Sequence, residues 1–535
     1  MDLNDLKTSR QTGLVNIGIL VSAGAACAVC LWAASQTFPV PVRILAAVCF
    51  SFLANTMFSL MHEAVHGGFH PNRRVNELGG RFAAAFFPTA FSLQRAFHLA
   101  HHRNNRSAVE RFDYYAKTDI HVLKVTHWYV ILTGVYWVGA PIFCVVYSLT
   151  ANFIPWQRLC GAGNQLTDQT STRPFLESLE QAPTSQVRLD VVMTVAIQFL
   201  IVSIFDVSLL GWCLCYGFFA LNWSSLQYAD HAFSSLDRQE GAWNLKVNRI
   251  VRLLFLNYHH HLEHHRNPSI AWVHLPKTVK PEDPQLSYWR VLLCMWAGPR
   301  PLPDPGRERS GGDAGKTSER EALVVNLAIS LVFAVFFWLL YGSASALFHS
   351  APTLHRVDFA FEQAIPFVPW AALVYLTVTP FLWVAPFVLK TPERLIPLVM
   401  TLALQVLIAW WIFLLFPVEV SFPRHDVAGV AGLLYSFADA INLDGNNVPS
   451  LHVALSISVA WACAEGKTVL VRTAFWGWAL LIALSTILTH QHNVLDVVTG
   501  AALAVLTMDF VYPRLQNRLS VDLKLLFRDK PALVH

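Results

Sequence analysis

Three clusters of histidine carry the first chemistry legible in this chain. His62 and His66 stand four apart in HEAVH; His98, His101 and His102 fall in HLAHH; His261, His264 and His265 fall in HLEHH. On a helix, residues three and four apart share a face, so each spacing aims its imidazoles at a common point. Eight such rings are too many for one ion and suit two. An all-nitrogen set favours iron, zinc or copper over magnesium or calcium. Packing does not account for so many, because a buried imidazole without a partner is costly. The first cluster also reads as H-E-x-x-H, with Glu63 as the general base of an intramembrane zinc protease. A protease would leave the other two clusters without a use. A non-catalytic scaffold with degenerate sites is the remaining rival, and complete clusters argue against it.

A second constellation lies near the C-terminus. Ser450 and His452 belong to VPSLH, and His492 and Asp496 to THQHNVLD. His492 and Asp496 are four apart on a helix, so the carboxylate can hold the imidazole and support positive charge on it. Pro449 and Ser450 suit a helix N-terminus, where free N–H groups favour an anion. That chemistry fits phosphoryl transfer, with His492 as nucleophile, Asp496 as its orienter and His452 as acid for the leaving alcohol.

The elements that must position these groups are membrane helices. Of 535 residues 54% are apolar and only 14% charged, more apolar surface than a soluble fold can hide. The net charge of +4 is scattered, with no basic block interleaved with aromatics, which excludes a nucleic-acid binder. Cys27 and Cys30 form a C-x-x-C inside an apolar run and read as packing residues rather than a redox pair.

Apolar runs at 14–35, 44–60, 191–205 and 207–226 give four spans, the last two as a tight hairpin around Asp206. Residues 82–91 and 128–149 fit re-entrant or interfacial pieces. Six further runs follow at 322–347, 367–389, 395–416, 450–464, 473–488 and 494–510. Residues 299–321, rich in Pro, Gly and charge, read as a linker. The expected domains are therefore 1–298, the linker, 322–513, and a basic tail 514–535. Arg307, Arg309, Lys316 and Arg320 in the linker and Arg514, Arg518, Lys524 and Arg528 in the tail place both on the cytoplasmic side. The histidine clusters then face the cytoplasm, while His452 and His492 face the other side.

The order H-x-x-x-H, H-x-x-H-H, H-x-x-H-H, with two spans before the first box and two before the third, resembles the membrane fatty acid desaturase/hydroxylase superfamily over residues 40–280. The run NYHHHLEHHRNPSIAWVHLP is similar to that family's third-box neighbourhood. The resemblance implies two non-haem iron ions held by the eight box histidines and a ninth, His231, in QYADHAF after the fourth span. It implies O2-dependent desaturation or hydroxylation of a lipid acyl or sphingoid chain. Glu63, Asp230 and Glu263, beside ligands, could hold the distal ring nitrogens. His70, His259 and His260 match no box position. With no cytochrome, flavin or iron–sulfur motif present, electrons would come from a separate cytochrome b5-like or ferredoxin-type carrier.

Residues 366–512 resemble the type 2 phosphatidic acid phosphatase superfamily. Leu451 stands where that family has glycine, and Thr486 where it has a phosphate-binding arginine, a pattern closer to its inositol phosphorylceramide synthase branch. Arg424, in Phe422-Pro423-Arg424, is the candidate replacement cation. The whole reads as an all-α integral membrane protein of a bacterial inner membrane with both termini cytoplasmic. It joins a four-span desaturase-like domain to a six-span phosphatase-like bundle.

Overall fold

The computed structural model describes residues 3–159, 169–170, 172–302, 318–348, 355–443 and 445–528. The chain divides into two compact units, one of residues 3–302 and one of residues 318–525. Most of the expected linker, residues 303–317, lies outside the described residues. Both units are helical. The described strands are the two-residue pair Tyr114–Tyr115 and Arg300–Pro301, which run parallel. Among the described residues, nine helices are long and apolar enough to cross a bilayer.

The first unit is built on α1 (Arg10–Ser35) packed along α2 (Val40–Val65), and α2 ends at the first histidine cluster. A buried apolar core of Leu31, Phe50, Met57, Leu60, Tyr216 and Phe219 joins them to the later helices. Two shorter helices follow, α3 (Arg73–Phe86) and α4 (Phe91–Asn104), and α4 carries the second cluster. The break between them falls at Pro88, which removes a backbone donor and restrains the residue before it.

Residues 128–149 do not form one straight helix. α5 (His121–Leu132) and α6 (Val135–Thr150) meet at 87° across Gly134. Gly134 has φ +79°, and a Cβ there would lie 2.6 Å from the Ala220 backbone, so the bend requires glycine.

After α7 (Thr172–Ser178) come α8 (Thr184–Ile204) and α9 (Leu209–Ala229). These two do not form the expected tight hairpin. α8 packs on α3 while α9 packs on α2 and α1. Gln198 links them, its amide donating to Tyr216 Oη (2.8 Å) and accepting from Trp212 Nε1 (3.2 Å).

The chain then forms α10 (Arg249–Leu254), α11 (His261–Arg266), which carries the third cluster, and α12 (Tyr288–Met295). Thr56 and Ser59 of α2 donate to the Leu254 and Phe255 carbonyls (2.6 and 3.1 Å), seating the turn that leads into α11.

The second unit opens with α13 (Glu319–Phe348). The run expected over 367–389 is one of the nine, Ala371–Leu389, built of three consecutive pieces, α14 (Ala371–Tyr375), α15 (Val378–Leu382) and α16 (Ala385–Leu389). α17 (Pro392–Leu415) packs on α13. α18 (Gly429–Ile441) lies between two of the expected apolar runs, its 13 residues being too short for a span signal. α19 (Leu451–Ala464), α20 (Val469–Leu488) and α21 (Val494–Phe510) complete the bundle. The expected basic tail is a helix, α22 (Tyr512–Arg528). Inside the bundle the Gln405 amide donates to Ser458 Oγ (2.7 Å) and Thr507 Oγ1 (2.6 Å), tying α17, α19 and α21 together.

Candidate metal centre and a second polar site

The nine histidines singled out in the first unit converge. The ligand atoms of His62, His66, His98 and His264 lie within 4.8 Å of one another, and so do those of His101, His231, His261 and His265. His102 stands against the first group, its Nε2 lying 2.9 Å from His98 Nε2 and 3.0 Å from His264 Nε2. His261 and His265 meet at 3.2 Å, again Nε2 to Nε2. Two ligands set at right angles and about 2.0–2.1 Å from an ion stand about 2.9 Å apart, so these nitrogen–nitrogen separations match a shared metal. His62 Nε2 and His66 Nε2 are buried with no hydrogen-bond partner. A donor set of inward-facing, unsatisfied imidazoles fits transition-metal ions.

Protonation agrees. Burial first, and then the neighbouring imidazoles, hold His98, His102, His264 and His265 well below the ordinary histidine range. Burial brings His66 down to about 4. All five are neutral at pH 7, the form in which imidazole binds a metal.

The groups behind the rings are not the ones expected. His101 Nδ1–H donates to Glu110 Oε2 (3.0 Å) and His231 Nδ1–H to the Gly241 carbonyl (2.8 Å), which leaves each Nε2 free to ligate. Glu63 instead accepts from the Trp272 backbone N–H (3.3 Å). Glu263 accepts from Arg266 (2.7 Å), and Arg266 also binds Asp283 and Glu240 (2.6 Å each), which pins the short α11. Asp230 is fully buried, with no hydrogen bond to either carboxylate oxygen.

One positioning device escaped sequence reading. Arg106, just past α4, makes a two-pronged buried ion pair with Asp113 (2.9 and 2.8 Å). Arg106 also donates to the Ser234 and Ser235 carbonyls (3.2 and 3.1 Å), and Asp113 accepts from Tyr228 Oη (3.0 Å). The pair thus fastens the loop after the second cluster to the segment that carries His231.

Beside the histidines lies a cavity of about 550 Å³, within the range of small-molecule sites. His62, His98, His101, His231 and His261 line it, together with Phe58, Phe87, Phe97, Ile131, Phe143 and Phe175.

In the second unit His452, His492 and Asp496 also meet. His492 Nδ1–H donates to Asp496 Oδ2 (3.1 Å), and His452 Nδ1 lies 3.1 Å from His492 Nε2. All three are buried or nearly so, and the Tyr375 ring lies 4.5 Å from that of His452, tilted by 36°. Ser450 is buried, its Oγ without a partner. A Cβ at Gly500 would lie 2.4 Å from the Ser450 carbonyl oxygen, so glycine lets α21 bring Asp496 up to this segment. Thr486, in the arginine position, has a backbone role, its carbonyl accepting from the Gln491 and His492 N–H groups (3.0 and 3.1 Å). Arg424 does not join the buried trio. Its side chain is 74% exposed and pairs with Asp439 at 3.9 Å. A cavity of about 140 Å³, lined by His452, Leu455, Phe337, Tyr341 and Trp383 among others, adjoins the site.

Residues 37–296 match the family model for Fatty acid desaturase. That match supports, for this part of the chain, the membrane desaturase/hydroxylase type, an oxidoreductase acting on lipids. No curated protein matches the chain.

Proposed function

We propose that the first unit holds two iron ions and performs O2-dependent desaturation or hydroxylation of a lipid acyl or sphingoid chain. The gathering of nine histidines from four separate stretches into two adjoining groups carries this reading. His62, His66, His98, His102 and His264 would hold one ion, and His101, His231, His261 and His265 the other. Iron bound there would supply the reduction of O2 and removal of hydrogen from an unactivated C–H bond. The chain itself holds the nine imidazoles together and oriented, and would seat the lipid chain beside them in the cavity. Electrons would arrive from a separate cytochrome b5-like or ferredoxin-type carrier, the cell being a bacterium with this chain in its inner membrane.

Metal analysis of the purified full chain tests this. About two irons per chain are expected; one zinc would favour the protease and no metal a scaffold. Lipid mass spectrometry of a host expressing wild type beside His264→Ala separates the chemistries. Loss of two hydrogens marks desaturation and gain of one oxygen marks hydroxylation, and either must vanish in the variant.

A second reading concerns the second unit, and the Asp496–His492–His452 chain supports it. His492 Nε2 attacks the phosphorus of a lipid phosphate ester and the bond to the leaving alcohol breaks. His452 gives that oxygen its proton, and water or an acceptor hydroxyl then takes the phosphoryl group. Hydrolysis and head-group transfer both follow from this scheme. A head-group change lost only in His492→Ala, in the same lipid analysis, is the expected sign.

A further inference from the structure

The histidine wall has a second side. The lipid cavity and a much smaller space of about 10 Å³ share His62, Tyr258 and His261, which therefore partition them. His264, Glu63 and Trp272 also line the smaller space, so it reaches ligands of both histidine groups. It has room for about one water, and no reductant can diffuse to the histidines through it. Trp272 is half-buried and lies outside the wall of the lipid cavity. Its Nε1–H donates to Asn16 Oδ1 (2.9 Å) and its backbone N–H to Glu63 Oε2 (3.3 Å), which fixes the indole between the surface and the imidazoles.

Three stretches of chain meet around Trp272. The Ala271 N–H donates to the Leu6 carbonyl (2.9 Å), and Thr8 Oγ1 donates to the Gly68 carbonyl. A Cβ at Gly13 would lie 2.3 Å from His70 Cδ2, so the chain after the first box rests directly on α1. Segments 5–10, 67–75 and 267–282 are thereby gathered at the end of α1 and α2 that carries the first box. They expose Lys7, Arg10, Arg73, Arg74, Lys277 and Lys280 against two exposed acids, Asp5 and Glu282. A surface of that balance attracts an acidic partner and speeds its encounter.

The oxidation proposed above needs such a partner. Desaturation by O2 takes up two electrons and two protons besides the two hydrogens of the lipid and yields two waters. Hydroxylation takes up the same two electrons and two protons and yields one water. With the lipid filling the cavity, electrons must reach the histidines from another side, and packed side chains pass an electron where a molecule cannot enter.

We infer that electrons enter the centre through Trp272, one at a time, from a carrier whose acidic face docks on this basic surface; this rests on the metal centre proposed above.

Docking is measured first on the metal-free full chain in phosphatidylcholine nanodiscs, with the soluble domain of a cytochrome b5 and a plant-type ferredoxin as probes. At least one should bind, with an affinity that falls as salt rises. Arg73→Glu/Arg74→Glu/Lys277→Glu should weaken it roughly tenfold or more. Carboxylates in the first turn of α3 suit a helix N-terminus, so this variant folds. Lys117→Glu/Arg238→Glu, exposed on other segments of the unit, should leave binding unchanged. In the iron-loaded chain Trp272→Leu should bind the carrier as wild type does, hold as much iron, and accept electrons several-fold more slowly. Trp272→Phe loses the same bond to Asn16 but keeps a ring, and should retain most of the rate. The inference is overturned if neither probe binds, if charge reversal leaves binding intact, if the control pair weakens it equally, or if Trp272→Leu is reduced at the wild-type rate. Salt-dependent docking beside a loaded preparation without iron would overturn the metal centre and not the docking surface.

Discussion

Glu110 shows how much at the centre depends on a single atom pair. Its carboxylate holds the Nδ1 proton of His101 at 3.0 Å, so that Nε2 faces the other ligands of its group. Loss of a carboxylate behind a ligating histidine typically costs about 10–100-fold in metal affinity. Glu110→Gln should therefore lose iron in a chelator titration at correspondingly lower chelator concentration, with its helical circular dichroism unchanged. Retention matching wild type would remove Glu110 from this role. The box histidines were readable because three- and four-residue spacings confine them to one helix face. Glu110 was not, because it lies nine positions after His101, beyond the end of α4 at Asn104, where the chain is irregular and imposes no direction. The acids that were readable, Glu63 and Glu263, turned to a backbone N–H and to Arg266, the nearest strong donors.

At the scale of elements, the second unit's polar site depends on how closely two helices approach. Gly500 lets α21 rest on the Ser450 carbonyl, and Ser450 N–H donates to the Asp496 carbonyl at 3.0 Å. Gly500→Val puts branched carbon where there is no room and moves Asp496 and His492 away from His452. A displacement of about 1 Å in a catalytic group can cost roughly 100-fold in rate. We expect the second unit's head-group chemistry to fall by that order while iron content and chain oxidation stay unchanged. Equal loss of both would mean general misfolding. Apolar runs announced most of these helices, since 18 or more apolar residues leave few alternatives to a membrane helix. The 87° bend between α5 and α6 and the divergence of α8 from α9 were not legible. Both are decided by which neighbour each helix meets, Gly134 against Ala220 in the first case and α3 against α1 and α2 in the second.

For the whole molecule, the distribution of Lys and Arg carries a topological prediction. It puts the histidine boxes on the cytoplasmic side and His452 and His492 on the opposite side. Asn493, beside the second site, is fully buried and caps α21, so it cannot report on sidedness. Arg103 and Asp426 are exposed and stand near the two sites in sequence. With the exposed Cys49 and Cys213 replaced by serine, Asp426→Cys should be labelled by an impermeant thiol reagent in intact cells and Arg103→Cys only after lysis. Labelling of both in intact cells would reverse the assignment for the first unit.

The sequence by itself determined that this is a helical membrane protein and that its box histidines come in sets able to share a metal. Both conclusions follow from local periodicity and composition, which act over a few turns of helix. It also singled out His452, His492 and Asp496, because their residue types already limit the chemistry. Only the tertiary structure divided nine histidines into two groups and excluded Arg424 from the buried trio. The grouping of the histidines depends on contacts between segments far apart in the chain, such as His102 with His264. Such contacts are set by the packing of whole helices, on which local spacing places no constraint.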